Sequence, residues 1–72
     1  MNLNICFNSE IEFKKAVDFV ANDSEFYAED NQEWNMLVVE CCDEDDANIN
    51  EKAIEKELIE KGIESFYFEI ED

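Results

Sequence analysis

Histidine, arginine and proline are absent from this chain, and glycine occurs once, at Gly62. Without histidine, most general-base arrangements and nucleophile triads lack their usual base. Without proline, and with one glycine, no stretch reads as a flexible linker or a low-complexity segment. No apolar run is long enough for a membrane span or a signal peptide. Positive charge is scarce as well: five lysines stand against 21 acids, for a net charge of −16. That excess of one sign argues against nucleic acid or an anionic membrane as a direct partner.

Enough remains to build a core. Hydrophobic residues make up 46% of the chain, with six Phe, two Tyr and one Trp, which argues against disorder despite the charge. Seventy-two residues make one domain, spanning 1–72. A domain of this size buries only ~60% of the surface its unfolded chain exposes, so modest stability is expected. Its radius of gyration should be ~11 Å and its diameter ~29 Å. Duplex DNA of that length carries ~17 charges, close to the chain's own number. The three cysteines, Cys6, Cys41 and Cys42, are odd in number and two are adjacent. Free thiols without an export signal point to a reducing cytoplasm.

The organising stretch is WNMLVVECCDEDD, residues 34–46, where an apolar run leads into Asp43, Glu44, Asp45 and Asp46. In chain order, Asn2–Phe7 alternates, with Leu3, Ile5 and Phe7 on one face and Asn2, Asn4 and Cys6 on the other, which is a half-buried strand. Asn8 or Ser9 can cap a helix, and Glu12 follows Ser9 at the capping-box spacing. The helix should run to about Val20 on a stripe of Phe13, Ala16, Val17 and Val20. Residues 25–29 read as a short strand, Asp30, Asn31, Gln32 and Glu33 as a hairpin loop, and residues 34–42 as the third strand. Asp46, Asn48 or Asn50 can cap a second helix buried through Ile54 and Leu58, with Gly62 as its stop. The last strand is read over residues 65–71, with Phe66, Phe68 and Ile70 inward.

The order is β-α-β-β-α-β. Residues 25–29 (EFYAE) and 65–69 (SFYFE) resemble each other and each follows a helix, which supports two similar halves. The expected fold is α+β and ferredoxin-like: a four-stranded antiparallel sheet with both helices on one face.

Charge is sorted by element. Lys14, Lys15, Lys52, Lys56 and Lys61 all fall in the two expected helices, where acids four residues away can pair with them. The strands and loops hold no base. The outward sheet face should carry Glu25, Tyr27, Glu29, Trp34, Met36, Val38, Glu40, Tyr67, Glu69 and Glu71, with Asp30, Glu33, Asp72 and the 43–46 tract around it. Aromatics ringed by carboxylates make a docking surface. Solubility alone asks for a net charge of roughly 2–8, so −16 exceeds it. RNA-binding domains of this fold also display sheet aromatics, but rely on basic residues for the phosphates. Here the polarity is reversed.

Chemistry finds few footholds. A nucleophilic Cys41 or Cys42 would need positive charge beside it, and acids stand there instead, so a buried, inert Cys41 is expected. The cysteines do not match a zinc site. Asp46, Asn48, Asn50 and Glu57 align with calcium-loop positions one, three, five and twelve, but lack the glycine at six. No enzyme activity, cofactor or metal is expected.

In size, acidity and the confinement of its bases to helices, the chain resembles the small acidic anti-defence proteins that phages and mobile elements encode, among them anti-CRISPR and anti-restriction proteins. The resemblance implies a DNA mimic, acting in the host cytoplasm, that occupies the basic groove of a nuclease or surveillance complex. It implies that Asp43, Glu44, Asp45 and Asp46, with Glu29, Asp30, Glu33, Glu40, Glu69 and Glu71, stand in for phosphates, and that Trp34 and Tyr67 anchor. Two other readings stand beside it. One is an antitoxin-like module binding a basic partner outside any nucleic-acid site. The other is a homodimer formed through the open sheet.

Overall fold

The computed structural model describes residues 1–20 and 28–71, with Phe19 by its backbone alone. The elements follow in the order β1 (Asn2–Phe7), α1 (Glu10–Val20), β2 (Ala28–Asn31), β3 (Met36–Glu40), α2 (Glu44–Glu60) and β4 (Phe66–Glu71). The strands form one antiparallel sheet in the order β2-β3-β1-β4. With its two helices the fold is α+β. The radius of gyration is 10.8 Å and the long axis 30 Å.

Period-two alternation in the central strands builds the core. Leu3, Ile5 and Phe7 of β1 and Leu37 and Val39 of β3 are buried on one sheet face. Phe13, Ala16 and Val20 of α1, with Ala47, Ile54 and Leu58 of α2, close over them in a single cluster. Phe7 links the layers by stacking at a tilt on Phe13 (5.9 Å between centroids) and on Phe66 (6.4 Å). Val17, read as part of the α1 stripe, is half-buried at its margin.

The helix ends explain the boundaries. Ser9 caps α1, its Oγ accepting from the Glu12 N–H at 3.3 Å. The carboxylate of Glu12 does not fold back on the cap. It accepts instead from the backbone N–H groups of Ser65 (3.0 Å) and Glu64 (3.4 Å), tying α1 to the start of β4. At the end of α2 the Gly62 N–H reaches the Ile59 carbonyl and the Ile63 N–H the Leu58 carbonyl, both within 3.0 Å. This crossed pair requires a left-handed residue, and Gly62 has φ +78°. Ile63 is then carried into the core.

Three expectations change. The second strand is Ala28–Asn31, so Asp30 and Asn31 belong to it and the turn is 32–35; the rest of the expected 25–29 strand, with Glu25 and Tyr27, lies outside the described residues, as does Asp72. The third strand ends at Glu40, because Asp43 caps α2 and the helix begins at Glu44, earlier than a cap at Asp46, Asn48 or Asn50 allows. Ile70 is on the helix side of the sheet but 42% exposed, since β4 is an edge strand and nothing among the described residues covers that end.

Candidate functional site: the open face of the sheet

Pairing register fixes what the uncovered face displays. Glu40, Asn2 and Glu71 form one cross-strand row. Glu29, Val38, Asn4 and Glu69 form the next, and Asn31, Met36, Cys6 and Tyr67 the third. Strands lie ~4.8 Å apart and second neighbours along a strand ~6.7 Å, so Glu40 and Glu71 stand ~10 Å apart, and Glu29 and Glu69 ~14 Å. The face therefore has two carboxylate rails, Glu29 with Glu40 and Glu69 with Glu71, flanking a neutral trough of Asn4, Val38, Met36 and Cys6. Neither rail nor trough contains a base.

The trough is ordered by its own contacts. Asn4 is the buried polar residue of the described core, and its Nδ2 donates to Glu71 Oε2 at 2.7 Å, which holds that carboxylate toward the centre of the face. Cys6 and Tyr67 are directly opposite cross-strand partners on this face, and each side chain influences the titration of the other. Burial pushes the Cys6 pKa up, Tyr67 opposes by lowering it, and the Glu69 charge raises it again. The Tyr67 pKa is also raised, first by its interaction with Cys6. Both groups are neutral at neutral pH, so this pair adds no charge to the trough and offers no thiolate.

The 43–46 tract sits at the rim beyond Glu40, at the sheet end that also holds Glu71. It divides by role. Asp43 Oδ1 accepts from the Asp46 N–H at 2.8 Å, and Asp46 Oδ2 accepts from the Cys42 N–H at 2.9 Å. The first satisfies a backbone donor that the helix start leaves open, and the second ties the residue before the cap to the first turn. Glu44 and Asp45 are exposed in the first turn, where the helix dipole favours acids. The calcium-loop alignment fails here, because residues 46, 48, 50 and 57 all lie within α2 and two-residue steps turn ~200° around a helix.

The sequence-derived site is thus brought together only in part. Glu29, Glu40, Tyr67, Glu69 and Glu71 share the open face, with the 43–46 tract at its acidic end. Glu33 and Trp34 do not: they lie in the 32–35 turn at the opposite end, with Trp34 69% exposed. Trp34 is therefore on no strand face. Asp30 pairs with Leu37 and so takes the helix side of edge strand β2. Asn4 and Cys6 were legible as the outward side of β1 but were missed as members of the site, because neither carries charge. All five lysines lie on the helical elements: Lys14 pairs with Glu10 at 3.1 Å, Lys15 donates to the Lys61 carbonyl at 2.8 Å, and Lys61 is the C-cap of α2. Cys41 is buried, its Sγ accepting from Asn50 Nδ2 at 3.4 Å, while Cys42 is exposed.

Among the described residues no helix is long and apolar enough to cross a membrane. No family model, curated protein or solved structure matches the chain.

Proposed function

We propose that the chain is an acidic decoy that fills the nucleic-acid groove of a basic host protein or complex, as a DNA mimic does, without chemistry of its own. One observation carries this reading: two carboxylate rails flank a neutral trough on a sheet face that no other described element covers, while every lysine sits in the helical layer behind it. Along the 30 Å axis, a net charge of −16 averages one charge per ~1.9 Å, against ~1.7 Å in duplex DNA. The 43–46 tract extends the acidic end. A defence nuclease or surveillance complex is the target class that this charge pattern and the anti-defence resemblance favour.

The fold fits the same proposal and reads as ferredoxin-like. It has β-α-β-β-α-β element order, β1 and β3 at the centre, and the helices to one side, with the other sheet face uncovered among the described residues.

The test is competition. With the chain immobilised, purified nucleases and surveillance complexes from the host are bound and challenged with duplex DNA. Displacement by DNA, together with affinity that falls steeply with salt, supports the reading. The variant E29Q/E40Q/E69Q, which spares the Asn4–Glu71 contact, should weaken binding at least tenfold. A partner that DNA does not displace, or that binds the triple variant as tightly, would point instead to an antitoxin-like module acting outside any nucleic-acid site.

A further inference from the structure

The sheet has two edges of different character. On the β4 side the backbone donors and acceptors can be assigned from the ladder. The Phe7 N–H bonds to the Asn35 carbonyl and the Cys41 N–H to the Met1 carbonyl, so the odd residues of β1 bond to β3. The Asn8 N–H bonds to the Ser65 carbonyl, so the even residues bond to β4. Antiparallel ladders alternate bonded and non-bonded pairs. Tyr67, Glu69 and Glu71 therefore face β1, and the N–H and C=O groups of Phe66, Phe68 and Ile70 point out of the sheet. Their side chains lie on the helix side and are only partly covered: Phe66 and Phe68 are half-buried and Ile70 is 42% exposed. The strand FYFEIE carries no proline and no lysine, two of the devices that normally blunt an edge.

We propose that a second copy of this chain pairs with β4 antiparallel across a two-fold axis through Phe68, joining the two sheets into one of eight strands. Only a register that matches even residues with even residues uses the outward groups and keeps both helical layers on the same side. Centring on Phe68 sets Phe66 opposite Ile70 of the second copy and Phe68 opposite its own counterpart, giving six backbone hydrogen bonds. On the open face it sets Tyr67 opposite Glu69 and Ser65 opposite Glu71. Within residues 65–71, no acid lies directly opposite an acid. Moving the axis to Glu69 would set Glu69 against itself at ~4.5 Å between Cα atoms, and moving it to Tyr67 would set Ile70 against Glu64. Apolar pairing on the helix side and the avoidance of directly opposed acids within the strand favour this register, in which the edge is complementary to itself.

The two copies each carry −16, so their mutual repulsion has to be screened. The screening length falls from ~10 Å at 0.1 M salt to ~3 Å at 1 M, and association should strengthen over that range. Sedimentation equilibrium is run from 0.05 to 1 M NaCl up to ~1 mM protein. The mass should move from 8.5 kDa toward twice that value as salt and concentration rise. Ile70→Pro deletes one outward N–H per copy without touching the β1 ladder, and should raise the dissociation constant at least ~30-fold. Amide exchange gives a second readout: Phe66, Phe68 and Ile70 should become protected as protein concentration rises, while Tyr67, Glu69 and Glu71 are protected throughout. If Ile70→Pro proves unfolded by circular dichroism, the exchange pattern alone decides. A single 8.5 kDa species under all conditions overturns the proposal. So does a dimer indifferent to a folded I70P, or one whose Phe66, Phe68 and Ile70 amides exchange as in the monomer. None of these readouts involves the decoy's target, so failure here leaves that reading untouched.

Discussion

Asp43 and Asp45 are two residues apart in one acidic run, yet the structure gives them different work, and substitution should separate them. Asp43 accepts the Asp46 N–H at 2.8 Å as N-cap of the seventeen-residue helix α2. Removing a cap of this kind costs ~1 kcal/mol, and the lost dipole interaction adds ~0.3–1 kcal/mol, at its lower end for so exposed a group. Asp43→Ala should therefore destabilise by about 1.5 kcal/mol. For 72 residues the unfolding entropy is ~0.15 kcal/mol/K, so the thermal midpoint should fall by ~10 °C. Asp43→Asn keeps an acceptor in place and should cost only a few tenths of a kcal/mol. Glu44→Gln and Asp45→Asn lose only a dipole contribution and relieve repulsion in a strongly acidic chain, so both should stay within ~0.5 kcal/mol of wild type. Urea titration followed by circular dichroism gives all four values. If Asp43→Ala unfolds at the wild-type midpoint, or Asp45→Asn costs as much as Asp43→Ala, the division of the tract is wrong. Should it stand, Glu44 and Asp45 are the carboxylates of this tract free to face a partner.

Further outcomes follow from the core, the charge and the thiol. Leu37→Ala or Ile54→Ala, each at a fully buried position, should cost ~2–5 kcal/mol, a large share of what a domain of this size has, and leave a substantial unfolded fraction by circular dichroism at 37 °C. Raising NaCl from 0.05 to 0.5 M should raise the thermal midpoint, because self-repulsion among the excess acids is screened; a fall would mean that attractive pairs dominate. The Cys6 pKa is raised in the fold, so its contribution to stability is present at neutral pH and is lost as pH climbs past the ordinary thiol range. Removing the hydroxyl that lowers this pKa, by Tyr67→Phe, should slow alkylation of Cys6 at pH 8, read by peptide mass spectrometry against Cys42 as internal standard. Faster alkylation would show that Tyr67 shields the thiol more than it polarises it.

The parts of the fold legible in the sequence are those where a single periodicity acts. Leu3, Ile5 and Phe7, or Phe13, Ala16 and Val20, repeat at strand or helix spacing and land in the core as read. The third strand and second helix were misjudged where they meet, because Cys41 continues the apolar alternation while Asp43 already serves the helix; a capping side chain outweighs pattern there. Trp34 was misplaced for a related reason. Its neighbours alternate as a strand should, but Asn35 adopts φ +49° and closes the turn around it. For the site, charge could be counted from the sequence, but register could not. Only pairing shows that Glu29 and Glu69 flank Asn4 in one row, and that Asp30, one residue away, belongs to the other side.

The inequality of the two sheet edges has a consequence for assembly size. β2 offers four described residues, AEDN, and no large apolar side chain, whereas β4 offers six, with Phe66, Phe68 and Ile70 along its helix side. A protomer with two adhesive edges adds copies end to end and grows into an open ribbon. A protomer with one adhesive edge saturates it in a single two-fold event. Any association built on this sheet should therefore terminate at two copies, leaving both β2 edges outermost and repelling further growth.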